Sequence, residues 1–260
     1  MKLFDSHCHL DDKSYTRDLD DVIKRAHDAG VSQMMTIGVD KNSSTRAVSL
    51  ADSRPGVYAS VGVHPHDAEQ CSRATLNHLR KLAENPKVRA WGEMGLDFNR
   101  MYSPQMDQEK WFQSQIEIAR ELQLPMIFHE RDSSGRFLEI LKAHSEGNLK
   151  GVVHCFSGNN NELEQYLSLG LHIGITGIVT LKARGSQLRR QVNRIPVDRL
   201  LVETDAPYLA PAPQKNQTRR NEPAFVRSVL LKLAQVRNED PEVLAEIIWN
   251  NTCRFYKIEA

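Results

Sequence analysis

Asp5-Ser6-His7-Cys8-His9 closes the first apolar run of the chain. Two histidines one residue apart on an extended backbone point to the same side, so they can grip one cation. A His-x-His pair also occurs on exposed strands with no ligand, so its meaning depends on the rest of the chain. Further metal-competent side chains stand at or just past later apolar runs: Glu93, His129, His154 and Asp205. Imidazole nitrogens and carboxylate oxygens gathered together suit a hydrolytic metal site.

Each candidate has a plainer alternative. A lone histidine such as His129 or His154 is more often a core or surface residue than a ligand. Glu93 could cap the helix that follows it. Asp205, before Ala206-Pro207, could start an Asx turn. Jointly these alternatives fail, because six such side chains at one rim would form an uncompensated polar cluster. A metal accounts for their coexistence. His64 in Gly62-Val63-His64-Pro65-His66 ends the third apolar run, and the proline restrains the turn so that one histidine aims inward. His66 is the weaker of the two. His27, His78 and His144 lie on helical segments and read as surface residues. His172 opens a strand and is expected to face away from the site.

Two basic stretches stay open to either reading. Arg131 and Asp132 follow His129, and Arg219-Arg220-Asn221-Glu222-Pro223 follows a long polar segment. They form solvated charge, with Asn221 capping the next helix. Alternatively, an arginine among them holds a substrate phosphate bidentately.

The elements that would position these groups alternate along the chain. Near-continuous apolar runs mark strands at Lys2 to Ser6, Gln33 to Gly38, Tyr58 to Val63 and Val88 to Gly92. Four more follow at Met126 to His129, Gly151 to His154, His172 to Ile175 and Leu200 to Glu203. Such runs are expected of parallel strands buried on both faces. Helical patterns fill the gaps, with Leu19 to Ala29 stopping at Gly30. Ser103-Pro104 reads as an N-cap and first-turn proline before a helix through Leu122. Ala224 to Val236 and Pro241 to Asn251 close the chain. Eight strand–helix units in 260 residues predict a single-domain (β/α)8 TIM barrel spanning 1–260. Residues at the strand C-termini would then converge on one mouth, where active sites lie. Ala206 to Arg220, rich in proline and polar residues, reads as a loop over that mouth. The rival, an open doubly wound sheet, would carry a glycine-rich phosphate loop after its first strand. This chain ends that strand in His-x-His instead.

Composition adds limits. Hydrophobic residues make up 40% of the chain and charged residues 26%, which is ordinary for a globular protein. A net charge of +1 argues against nonspecific wrapping of duplex nucleic acid. It leaves room for a site that grips a few phosphates. Four scattered cysteines (Cys8, Cys71, Cys155 and Cys253) show no CxxC spacing and read as reduced thiols. Met1 leads straight into strand-like residues, and no apolar stretch is long enough to span a bilayer. The expectation is a cytoplasmic protein with no membrane association and no obligate protein partner.

The motifs in combination bring a family into view. They are Phe4-Asp5-Ser6-His7-Cys8-His9-Leu10, Gly62-Val63-His64-Pro65-His66 and Gly92-Glu93-Met94-Gly95-Leu96-Asp97-Phe98. They continue with His129-Glu130-Arg131-Asp132, His154-Cys155-Phe156-Ser157-Gly158, Glu203-Thr204-Asp205-Ala206-Pro207-Tyr208-Leu209 and Arg220-Asn221-Glu222-Pro223. In this order they closely resemble the TatD family of metal-dependent deoxyribonucleases, among the amidohydrolase-type barrels. The resemblance spans essentially the whole chain. It implies a TIM barrel with two divalent metal ions (Mg, Mn or Zn) and hydrolysis of DNA phosphodiesters, 3′ to 5′, on ends or single strands.

By the same resemblance, His7, His9 and Asp205 bind one metal, His129 and His154 bind the other, and Glu93 bridges them. Two such cations activate a water and stabilise the charged transition state. Asp205 and Glu93 are the catalytic carboxylates, with Asp205 orienting the water and taking its proton. His64, Asp97, Arg131, Glu203 and Arg220 are expected to support the ligands or contact substrate. Tyr208 or Phe98 could stack on a terminal base, although a hydrophobic rim residue is the better reading of each. Ser133 departs from the alanine common in the family after the Arg-Asp pair. Related amidohydrolases often bridge their metals with a carboxylated lysine, whereas this chain offers Glu93. The same ligands would also serve a deacylase, for instance one acting on aminoacyl-tRNA, or a scaffold that keeps metal for stability.

Overall fold

A computed structural model describes residues 1–145, 149–212 and 214–259. In chain order the strands are β1 (Leu3–Cys8), β2 (Val31–Ile37), β3 (Val57–Val61) and β4 (Val88–Asp97). They continue as β5 (Met126–Arg131), β6 (Gly151–Val153), β7 (His172–Ile175) and β8 (Leu200–Val202). The helices are α1 (Leu19–Asp28), α2 (Lys41–Ser53), α3 (Arg73–Leu82), α4 (Gln105–Glu121) and α5 (Arg136–Ala143). The remainder are α6 (Asn160–Ser168), α7 (Ser186–Gln191), α8 (Val226–Arg237) and α9 (Pro241–Tyr256). The strands form one eight-stranded sheet in the order β1 to β8. A helix follows each strand, giving the (β/α)8 TIM barrel. None of the described helices is long and apolar enough to cross a membrane.

The chain divides into two compact units, and each is described by itself. The first comprises Met1–Thr36, Cys155–Asn159 and Ile173–Ala260. In it β1 runs parallel to β2, with Phe4 opposite Gln33 and Asp5 opposite Met34. β7 runs parallel to β8, with Gly174 opposite Leu201. Cys8 forms a further parallel bridge to Ala206. Long α9 covers β1: the Phe4 ring lies 6.0 Å from Trp249 and 5.9 Å from Tyr256. Tyr256 also donates its hydroxyl to the Ser6 carbonyl at 2.9 Å. Burying an aromatic ring of this kind stabilises by about 1.5–3 kcal/mol.

The second unit comprises Ile37–His154 and Asn160–His172. β3, β4, β5 and β6 pair in parallel, each with the next. Behind them Phe112 of α4 stacks on Phe137 of α5 at 5.3 Å, and both meet Phe128 of β5 edge-on. Such aromatic pairs add about 0.5–1.5 kcal/mol beyond burial.

Three local expectations are corrected. β4 runs five residues past Gly92, to Asp97. Its acidic residues looked like a loop, but Glu93 and Asp97 are buried and satisfied by neighbouring histidines. Glu93 therefore lies inside a strand and caps no helix. Ser103 is not the N-cap of α4: Pro104 holds that position without a side-chain cap. The Ser103 hydroxyl instead donates to the His66 carbonyl at 2.8 Å and accepts from the Glu69 amide. Asn221 does not cap the C-terminal helices either. Its amide nitrogen donates to the carbonyls of Thr204 (2.9 Å) and Tyr208 (2.6 Å), tying down the loop after β8. That loop, expected over residues 206–220, contains a 3-10 turn at Gln214–Asn216. Its residue 213 lies outside the described residues.

Candidate active site

In the first unit, the strand β1 supplies His7 and, one residue beyond its end, His9. The two rings lie 5.2 Å apart. Their Nε2 atoms both approach Asp205 Oδ1, at 3.7 and 3.3 Å respectively. His7 is fully buried, whereas His9 and Asp205 are partly exposed.

Asp205 is held by its neighbours on both sides. Its amide donates to the His7 carbonyl at 2.9 Å, and its backbone takes a left-handed φ of 57°. The preceding Thr204 is clamped by Asp5, which accepts from the Thr204 amide (2.8 Å) and hydroxyl (2.5 Å). The Thr204 hydroxyl in turn accepts the Ala206 amide at 3.1 Å. Burial pushes the Asp5 carboxyl up to about 8, against the lowering pull of the Thr204 hydrogen bonds. Glu203 is buried and accepts the Cys155 amide at 2.6 Å. A Cβ on Gly174 would collide with that carboxylate, at 2.6 Å from Oε2.

In the second unit, Glu93 is the hub. It is 2% exposed, and its Oε1 lies 2.8 Å from His129 Nδ1, 3.3 Å from His154 Nε2 and 3.4 Å from His64 Nε2. Burial would raise the Glu93 carboxyl, but the three imidazoles outweigh it and hold the group well below the usual carboxylate range. His64, Glu93 and His129 present ligand atoms within 4.8 Å of one another. Burial, and then the His129 charge, pulls His64 down to about 4.

Asp97 braces this group. Its Oδ2 lies 2.7 Å from His66 Nε2 and 3.4 Å from His129 Nε2. His129 therefore sits between two carboxylates. Burial lowers its tendency to protonate, but hydrogen bonds to Asp97 and Glu93 raise it overall. The strand register makes the contact possible: Gly95 pairs with His129 at φ 151°. A Cβ there would fall 1.8 Å from the His129 carbonyl oxygen, so only glycine lets β4 approach β5 this closely.

The remaining expected residues separate. Arg131 is exposed at the end of β5, opposite Asp97 in register. Arg220 is committed elsewhere: it donates to both oxygens of Asp18 (2.8 and 2.6 Å), to Glu222 (2.9 Å) and to the Ser14 carbonyl (2.8 Å). A guanidinium so engaged has few donors left for a phosphate, so Arg220 is a loop clamp. Tyr208 is 54% exposed and packs edge-on to His9 at 5.7 Å. Phe98 is half-buried. Ser133 is buried and donates its hydroxyl to Glu130 at 2.8 Å, at the entry to α5.

The cysteines beside His7, His9 and His154 turn elsewhere. Cys8 donates to the Met35 carbonyl at 3.3 Å, and burial holds its thiol and that of Cys155 well above the usual range. All four cysteines are free of disulfides. Sequence reasoning placed His66 below His64 and passed over its role in holding Asp97. The signal was the His-Pro-His spacing itself, which sets both rings on one short turn, 4.3 Å apart.

Comparison with known proteins gives this chain relatives. A family profile described as TatD related DNase matches residues 4–257. A protein of Rahnella sp. named 3′-5′ ssDNA/RNA exonuclease TatD is 43% identical over 99% of both chains. The similarly named protein of Salmonella typhimurium is 40% identical over 98% of this chain and 99% of its own. Among solved structures, the TatD homologue YJJV of Escherichia coli matches with a TM-score of 0.91. It is 31% identical and covers 99% of this chain and 98% of its own.

Proposed function

The chain belongs to the family of TatD-related DNases, and from that premise we propose that it is a metal-dependent hydrolase removing nucleotides from the 3′ end of single-stranded DNA or RNA. The whole chain, 1–260, acts as one catalytic barrel. The observation that carries the proposal is the buried Glu93 carboxylate faced by three imidazole nitrogens at 2.8–3.4 Å.

The donor sets fit divalent cations. Each cluster joins imidazole nitrogens to a carboxylate, the mixture that suits zinc, manganese or magnesium. The neighbouring thiols have other partners: Cys8 donates to the Met35 carbonyl, and Cys155 Sγ lies 3.6 Å from the Thr176 hydroxyl. His7, His9 and Asp205 would hold one ion, and His129, His154 and Glu93 another. The resemblance also assigns Glu93 to both. When bound, the cations supply Lewis acidity that makes water nucleophilic near neutral pH and neutralises charge on the phosphoryl oxygens.

This chain's own residues do the rest. Asp205, the partly exposed carboxylate of its cluster, accepts a proton from the attacking water. Asp5 and Thr204 keep it aimed by gripping the backbone just before it. Asp97 fixes the tautomer and tilt of His129, as a carboxylate behind a ligand imidazole does. Arg131 takes a substrate phosphate.

The test is direct. Metal-reconstituted protein is incubated with end-labelled single-stranded DNA and RNA and, in parallel, with aminoacyl-tRNA. Stepwise release of mononucleotides from the 3′ end is expected. Release of the amino acid alone would replace the nuclease with a deacylase. Neither product with magnesium, manganese or zinc would leave only a metal-stabilised scaffold.

A further inference from the structure

The segment between β4 and α4 is pinned at both ends and exposed at its tip. At the near end, Asp97 Oδ1 accepts the amides of Asn99 (3.0 Å) and Arg100 (2.8 Å). At the far end, Ser103 is buried and bonded to His66 and Glu69. Buried Gln108 joins the two ends, accepting the Asp97 amide at 2.8 Å and donating to the carbonyls of Asp97 and Ser103 at 3.2 and 2.8 Å. Between these anchors Met101 takes a left-handed φ of 50°, and Tyr102 is 62% exposed.

Most of the Tyr102 ring is open to a partner, on a loop fixed at both ends. Its surroundings give that exposure a use. The Tyr102 ring lies 4.7 Å from the His66 ring, edge to face. His66 is hydrogen-bonded to Asp97 at 2.7 Å, and Asp97 reaches His129. The ring is thus tied to the Glu93–His129 cluster through one carboxylate. Arg100 stands two residues before Tyr102, and Arg131 is opposite Asp97 in register; both side chains are exposed and make no hydrogen bond or ion pair among the described residues. An exposed aromatic face and free guanidiniums nearby in the chain and in strand register are the kinds of group that hold a single strand, because bases stack on the ring while cations take the phosphates.

Resting on the single-strand exonuclease reading above, we propose that Tyr102 is the stacking platform for a base near the 3′ end of the substrate, a specificity-determining residue that favours unpaired strands. A base inside a duplex is stacked on both faces and cannot present either to the ring. Stacking is indifferent to sequence, so digestion proceeds through all four bases. Because the loop is already ordered, little entropy is lost when the base docks.

The experiment compares wild type, Tyr102→Phe and Tyr102→Ala on labelled single strands. A parallel substrate set carries one base-free sugar unit, placed in turn at each of the last four positions. Tyr102→Ala is expected to raise KM by roughly 5- to 50-fold with kcat little changed, the size of one lost stack. Tyr102→Phe should keep a KM close to wild type. At one base-free position the wild-type and alanine KM values should converge. An alanine variant with the wild-type KM, or one impaired equally at every base-free position, overturns the proposal. If the wild type releases no nucleotide at all, the exonuclease reading fails instead, so the two failures are distinguishable.

Discussion

In the cluster of the first unit, two histidines come from a single strand end and one partly exposed carboxylate comes from the loop after β8. In the cluster of the second, one buried carboxylate faces three histidines that lie in or just after three different strands. The first is assembled by the two-residue period of β1, and its carboxylate is aimed by hydrogen bonds from the backbone. The second is assembled by register: Glu93 meets His129 because β4 and β5 pair through a glycine. A local pair tolerates error elsewhere in the fold, whereas a cluster drawn from several strands collapses if one register slips. The second cluster is also backed by its own carboxylate, Asp97, while the first relies on Asp5, which holds Thr204 rather than Asp205 itself.

The sharpest way to break this contrast is Glu93→Ala. It removes the carboxylate that His64, His129 and His154 all face. Bound metal should fall and turnover should drop by at least about 10²–10³, the scale of losing a charge-stabilising group at a reacting centre. Metal analysis of the dialysed variant beside a rate assay checks both. Ordinary metal content and rate would mean that the imidazoles hold their ion without a carboxylate hub.

Thr204→Val tests the aiming of Asp205. It leaves buried Asp5 and the Ala206 amide each short of a partner, which costs about 1–3 kcal/mol per unsatisfied group. Urea unfolding should show the loss. Metal affinity should weaken with it, since Asp205 lies between the two residues disturbed. A destabilised variant with unchanged metal affinity would show that Asp205 needs no such clamp.

The two arginines expected at the substrate should now behave differently. Arg131→Ala should raise KM by roughly tenfold through one lost charge-assisted phosphate contact, with unfolding unchanged. Arg220→Ala should lower stability by about 1–2 kcal/mol through its hydrogen bonds to Asp18 and Glu222, with KM unchanged. An exchange of these phenotypes would reverse the assignment.

The smallest effect is a pH dependence. The Arg220 guanidinium beside Asp18 is the first cause holding its carboxyl down at about 2. A depressed carboxyl contributes stability that is complete above its unfolded value near 4 and is lost as pH falls through 2. Asp18 is solvent-accessible, so the contribution is within about 1 kcal/mol. The urea midpoint of Asp18→Asn should therefore lie below wild type at pH 6 and draw level toward pH 2. A gap that stays constant with pH would assign the difference to packing.

Some of this was legible along the chain because its causes are local. The apolar run at Leu3–Phe4, the His-x-His spacing after it and the breaker at Gly30 mark a buried strand, two histidines on one side that meet Asp205, and a helix end. Each depends only on neighbours a few residues away. The family motifs extended that reading to Glu93, His129, His154 and Asp205. Capping was misread at Ser103 and Asn221, because their side chains found partners far along the sequence. β4 was cut short at Gly92 for a related reason. A glutamate and an aspartate in mid-strand look wrong until the histidines that satisfy them are seen.

What the sequence by itself determined is the alternation of strand and helix and the chemical kinds of side chain at each strand end, since periodicity and residue type are properties of the chain alone. Only the tertiary structure decided that Arg220 is used up by Asp18 and Glu222, that His66 and Asp97 brace His129, and that Tyr102 stands exposed on a pinned loop. Each of these depends on a distance between residues remote in sequence, and a hydrogen bond or ion pair exists only where folding brings its two ends within about 3 Å.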